Sequence, residues 1–122
     1  MTDQIVLGRT LPVVTDEQMH ERLAQVRQYT VALLRATPAL VRPDVDPIIW
    51  EHGRMNMRLV AAGILTIVLP VADDSELAGL QVFTVDVAQA RTVMESDPAV
   101  AAGILSYELH PVRGFPGATL PG

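Results

Sequence analysis

The sequence predicts a single α+β domain, and three observations predict it. Its 122 residues and 49% apolar content suit one hydrophobic core. Its hydrophobic pattern changes from helical spacing to strand-like runs at Gly63. From Asp46 onward the elements read helix, strand, strand, helix, strand, with Gly and Pro between them.

Ile5 to Val14 reads as a first strand, with Gly8 and Pro12 placing it at a sheet edge. Thr15 and Gln18 have capping-box spacing and open a helix over Asp16 to Ala36. Its stripe is Met19, Leu23, Val26, Thr30, Leu33 and Leu34, and Pro38 stops it. Thr37 to Pro47 is a proline-rich connector. The next helix takes Asp46 as N-cap and Pro47 as its first residue. Its stripe runs Ile48, His52, Met55, Leu59, Ala62, and Gly63 stands where a left-handed C-terminal cap belongs.

Ile64 to Leu69 is a strand that Pro70 ends, Val71 to Ala78 an acidic loop, and Gly79 to Thr84 a further strand. Asp86 to Ser96 is a short helix, which Asp97-Pro98 breaks before a last strand over Ile104 to His110. The tail from Pro111 to Gly122 is too rich in Pro and Gly for regular structure. The order is then β-α-β-β-α-β, a ferredoxin-like split unit with an extra N-terminal helix. The chain, 1–122, reads as one domain without an internal repeat. A four-stranded sheet with helices on one face leaves its other face to be covered. Val68, Leu80, Val82 and Leu105 are the apolar candidates for that second face, which points to a homodimer.

Composition narrows the chemistry. There is no Cys, hence no disulfide framework, thiol nucleophile or Cys-zinc site. All nine cations are arginines, so Schiff-base and P-loop lysine chemistry are excluded. A net charge of −5 argues against nucleic acid as a partner. His20, His52 and His110 show no paired metal-ligand spacing, and no G-x-S-x-G or G-x-G-x-x-G element follows a strand. Neither a metal nor a cofactor is expected. The longest apolar stretch, Leu59 to Ala72, is too short and too interrupted to span a bilayer. The N-terminal residues lack an export pattern, so a cytoplasmic location with no membrane partner is the default.

His52 lies on the apolar stripe of its helix and should face the sheet. There it is either a core histidine bonded to a backbone carbonyl or, if a carboxylate orients it, a general acid or base. Asp73 and Asp74 follow a buried strand, either as a solvated turn or as working carboxylates. On the last strand Ile104, Ser106, Glu108 and His110 alternate with Leu105, Tyr107 and Leu109, so the first set lines either a polar cavity or a wet sheet face. Arg113 is a candidate anchor for a ligand carboxylate or a plain surface arginine.

From about Pro47 to Pro121 the chain resembles the YCII-related (YciI-like) proteins of the dimeric α+β barrel superfamily. The resemblance is carried by His52 with Gly63 eleven residues on, by the acidic loop, and by the block Asp97-Pro98-Ala99-Val100-Ala101-Ala102-Gly103-Ile104. The segment Tyr107 to Gly117 adds to it. It implies a ferredoxin-like subunit that pairs with a second copy to close a barrel. It also implies a His-Asp dyad in a cleft, with His52 as the histidine and Asp74 or Asp73 as its partner. Ser106, His110 and Arg113 would bind the substrate. One member type is a dehydrochlorinase of an aromatic ring compound. Two readings follow. The first is a small lyase or isomerase working by His-Asp acid-base chemistry on a cyclic or aromatic compound. The second is a non-catalytic small-molecule-binding or regulatory dimer using the same cleft. Met1 to Val45 departs from the family's opening.

Overall fold

The structure is a computed structural model that describes residues 4–122. Its elements are β1 (Gln4–Val6), β2 (Arg9–Leu11), α1 (Asp16–Ala24), β3 (Arg27–Ala36), a 3₁₀ turn (Pro38–Val41) and α2 (Val45–Ala61). They continue as β4 (Leu65–Pro70), β5 (Leu77–Phe83), α3 (Val87–Glu95), α4 (Pro98–Ala101) and β6 (Leu105–Gly114). Strands β4-β5-β3-β6 form a four-stranded sheet in that order, every pair antiparallel. The sequence β3-α2-β4-β5-α3-β6 is the ferredoxin-like order expected.

The first strand of that unit is not where the periodicity put it. The helix expected over Asp16 to Ala36 ends at Ala24, and Arg27–Ala36 is the strand that pairs with both β5 and β6. The reason lies in the number four, which fits both the helical period and the strand period of two. Thr30 and Leu34 share a face in either conformation. Leu33 separates the two: in β3 it lies opposite to the buried Thr30, Ala32 and Leu34. Ten residues in a central strand also satisfy two sets of backbone groups at once. Ile5 to Val14 is correspondingly not an edge strand of this sheet. It holds a separate hairpin, β1-β2, turning at Leu7-Gly8 with φ of 53° and 72°, the positive values a two-residue turn needs. Residues 4–25 are exposed throughout.

The expected absence of an internal repeat also fails. The hexapeptide Val-Ala-Ala-Gly-Ile-Leu occurs at 60–65 and again at 100–105. Each copy ends a helix and starts a strand. Gly63 and Gly103 take φ of +75° and +74°, as foreseen for Gly63. Around each, the amide two past the last helical turn reaches back, Ile64 to Leu59 and Ile104 to Ala99, which is the Schellman closure. The two halves of the split unit thus deliver β4 and β6 to the sheet by the same local device.

Helices α1 and α3 are each closed at the N-terminus by their own side chains. Thr15 with Gln18 and Asp86 with Gln89 form complete capping boxes. Helix α2 starts slightly earlier than expected, with Asp44 at its N-cap and Asp46 in the first turn. Arg42 engages Asp44 at 3.0 and 2.6 Å, so Asp44 makes no capping bond. Strand β6 runs four residues past His110, because its N-terminal half and Pro111 to Gly114 alike have partners on β3.

The helices cover one face of the sheet. The core between them is Ala32, Leu34, Leu65, Phe83, Ala90, Met94, Ala99, Ile104 and Leu105. Register places Val31, Leu33, Leu80 and Val82 together on the opposite face, where they are half-buried. Leu80 and Val82 therefore match the expectation for a second face. Val68 and Leu105 do not: Val68 pairs with the buried Gln81, and Leu105 is a core residue. Among the described residues no helix is long and apolar enough to cross a membrane.

Candidate active site

Helix α2 crosses the sheet with its apolar stripe inward, so His52 faces the interior as its spacing requires. Its side chain is 15% exposed, and its partner is a carboxylate rather than a backbone carbonyl. His52 Nδ1 lies 2.6 Å from Asp97 Oδ2. Asp97 is 4% exposed and is anchored independently of the histidine. It is the N-cap of α4, where its Oδ1 accepts the backbone N–H of Ala99 at 2.8 Å and of Val100 at 3.2 Å. Pro98 at the first helical position fixes the chain direction there. A cap that is also the partner of a histidine holds that ring in a defined place and tautomer.

The dyad opens onto a cavity of about 570 Å³ between α2 and the β4-β5-β3 side of the sheet. Leu34, Ile49, Met57, Val68 and Leu105 supply apolar wall, while His52, Asn56, Gln81 and Asp46 supply the polar points. Asn56 Nδ2 stands 3.4 Å from His52 Nε2, and Gln81 Nε2 donates to Asn56 Oδ1 at 2.7 Å. An apolar chamber with a few convergent polar groups is the usual form of a small-molecule site.

The other residues singled out from the sequence lie elsewhere. The carboxylate on His52 is not Asp73 or Asp74. Asp73 turns on its own loop, where its Oδ1 accepts Ser75 Oγ at 2.6 Å and Ser75 N at 2.9 Å. Those two bonds, the hydroxyl first, hold its carboxyl below the usual range. Asp74 is exposed, and neither aspartate lines the cavity. Ser106, Glu108 and His110 alternate away from the core on β6, as expected, but onto the open sheet face rather than into the cavity. There His110 Nε2 lies 3.0 Å from Glu108 Oε2, and Arg35 donates to Glu108 Oε1 at 3.1 Å. His110 and then Arg35 hold the Glu108 carboxyl low. Arg113 sits further along β6 in a surface depression with Val26, Arg27 and Gln28. Among the described residues no cluster of three His, Asp or Glu side chains could hold a metal ion.

Sequence reasoning passed over Asp97, Asn56 and Gln81. In the sequence Asp97 stands as a helix breaker and as the head of the block Asp97 to Ile104, and neither marks it as the partner of His52. Asn56 was detectable four residues after His52, on the same helix face. Gln81 was detectable as a lone amide among the apolar residues of a strand.

No family model matches the chain, and no curated protein matches it. Solved structures do match. One is 5-chloro-2-hydroxyhydroquinone dehydrochlorinase from Burkholderia phenoliruptrix AC1100, in complex with 2,5-dihydroxybenzoquinone. The TM-score is 0.52 at 14% identity, over 67% of this chain and 90% of that one. The two proteins share a fold.

Proposed function

We propose that the chain is a small acid-base enzyme, a lyase or isomerase of the YCII-related kind, acting on a small cyclic or aromatic compound. The observation that carries this reading is the 2.6 Å His52–Asp97 pair opening on a cavity of about 570 Å³. Asp97 takes the place given above to Asp73 or Asp74. It accepts the Nδ1 proton, so that Nε2 of the neutral ring is the basic atom. A ligand proton passes to Nε2, and the imidazolium so formed is stabilised by the buried carboxylate. In an elimination the same proton leaves with the departing anion as HX, with no redox partner needed.

The neighbour's activity on a chlorinated hydroxyhydroquinone supports a hydroxylated ring as the substrate and loss of HCl as the reaction. A ring of that size fits the cavity. A non-catalytic binding module is less well supported, because binding alone has no need of a buried carboxylate on the histidine. The half-buried apolar face with Leu80 and Val82 supports a homodimer. Ser106 and His110, on that face, would then meet a ligand only inside a barrel closed by the second copy.

The test is chloride release from 5-chloro-2-hydroxyhydroquinone. The wild type should release chloride, and His52→Ala should lose about 100-fold or more, the lower end of general-base contributions. Equal turnover by that variant would sink the mechanism.

A further inference from the structure

We infer that Asn56 and Gln81 are positioning residues that hold Nε2 of the neutral His52 ring as a hydrogen-bond acceptor and set how readily it takes a proton. This rests on the reading of His52 as the proton-transferring group and adds a direction to it. Four side chains run in one line, Asp97, His52, Asn56 and Gln81, at 2.6, 3.4 and 2.7 Å. Asn56 and Gln81 are 5% and 2% exposed, and both line the cavity. Burying two carboxamides beside an otherwise apolar wall is costly unless they are bonded.

While the ring is neutral, the line has one polarity. Asp97 Oδ1 is occupied by two backbone N–H groups. An ionised carboxylate only accepts, so Oδ2 requires a hydrogen on Nδ1. The neutral ring has a single N–H, which leaves a lone pair on Nε2. Asn56 must then present its –NH₂ to Nε2. Its Oδ1 is thereby turned to Gln81, whose Nε2 donates to it. The line ends at Gln81 Oε1, which has no hydrogen-bond partner among the described residues. Gln81 therefore locks the Asn56 amide, and Asn56 keeps a donor against Nε2.

The consequence is directional. An N–H formed at Nε2 would meet an amide N–H, so protonation requires the Asn56 amide to turn over and offer Oδ1. That turn breaks the bond to Gln81. The strength of the Asn56–Gln81 bond thus sets how readily His52 keeps a proton. Two carboxyl groups face this region: Asp97, and Asp46 from the first turn of α2. Strands β3, β4, β5 and β6 place no titratable side chain in the cavity wall.

The experiment is an NMR titration of the His52 ring in the full chain. Wild type should show the neutral ring as the Nδ1–H tautomer. Gln81→Met frees the Asn56 amide, and the midpoint of His52 protonation should move to higher pH by roughly one unit, a tenfold change in proton affinity. In an Asn56→Leu background, adding Gln81→Met should move it no further. A purely structural role would lower the melting temperature without this dependence. An Nε2–H tautomer in wild type overturns the inference with no variant needed. So does a Gln81→Met shift that is absent, or one that persists in the Asn56→Leu background. The proton-transfer reading fails separately, if tautomer and coupling hold while His52→Ala still turns over substrate.

Discussion

The described residues form two histidine–carboxylate pairs, and they differ in everything except chemistry. His52–Asp97 spans 45 residues and measures 2.6 Å, with side chains 15% and 4% exposed. His110–Glu108 spans two residues of one strand and measures 3.0 Å, with side chains 53% and 45% exposed. The first carboxylate is fixed by two backbone amides before it meets its histidine, and the ring then leads to buried amides in a cavity. The second is shared with Arg35 in contact with water. Water screens the exposed pair and supplies alternative partners for both groups. In the buried pair each group depends on the other, and a proton moved on one is felt by the whole line. The same two chemical groups, an imidazole and a carboxylate, form a surface contact on β6 and a buried, anchored pair beneath α2.

The sharpest way to break the contrast is Asp97→Ala. It leaves His52 without its partner and two buried amides of α4 uncapped. A loss of about 3–5 kcal/mol is expected in denaturant unfolding, together with loss of turnover. Glu108→Ala should move the unfolding midpoint only slightly, because both of its partners are exposed. Equal losses for the two would remove the distinction between the pairs.

Activity separates the histidines next. His52→Ala should cost about 100-fold or more in turnover, measured as above. His110→Ala should stay within about twofold, since it removes no group from the cavity.

The smallest effect is that of pH on the exposed pair. Glu108 is held low by His110 and Arg35. A carboxyl depressed in the folded state stabilises it above the ordinary carboxylate range, and that contribution disappears as pH falls through the lowered value. Wild type should therefore melt slightly above Glu108→Gln at neutral pH, and the two should converge in strong acid. The neutral-pH difference is small because the pair is exposed, and it shrinks with added salt.

What could be read from the sequence follows the same divide between local and tertiary causes. The inward direction of His52, the left-handed Gly63 and the alternation of Ser106 and His110 on β6 are set by one element's own period, and each was legible. Strand β3 was not, because Thr30 and Leu34 sit on one face in either period and only the pairing with β5 and β6 decides. The partner of His52 was illegible for a related reason. Asp97 announces itself locally as a helix cap before a proline, and nothing in its neighbourhood shows that the carboxylate has a second oxygen to spare. Asp73 looked better placed, but Ser75 takes its oxygen two residues on. The repeated Val-Ala-Ala-Gly-Ile-Leu was in plain view, and it marks the two places where helix hands over to strand.

The central claim is that ligands meet this protein at the buried pair. Its most direct test is to titrate 2,5-dihydroxybenzoquinone into isotope-labelled protein and follow the His52 ring with the side-chain amides of Asn56 and Gln81. Saturable shifts concentrated on those three groups are predicted. Shifts confined to Ser106, His110 and Arg113, with the His52 ring unmoved, would contradict it.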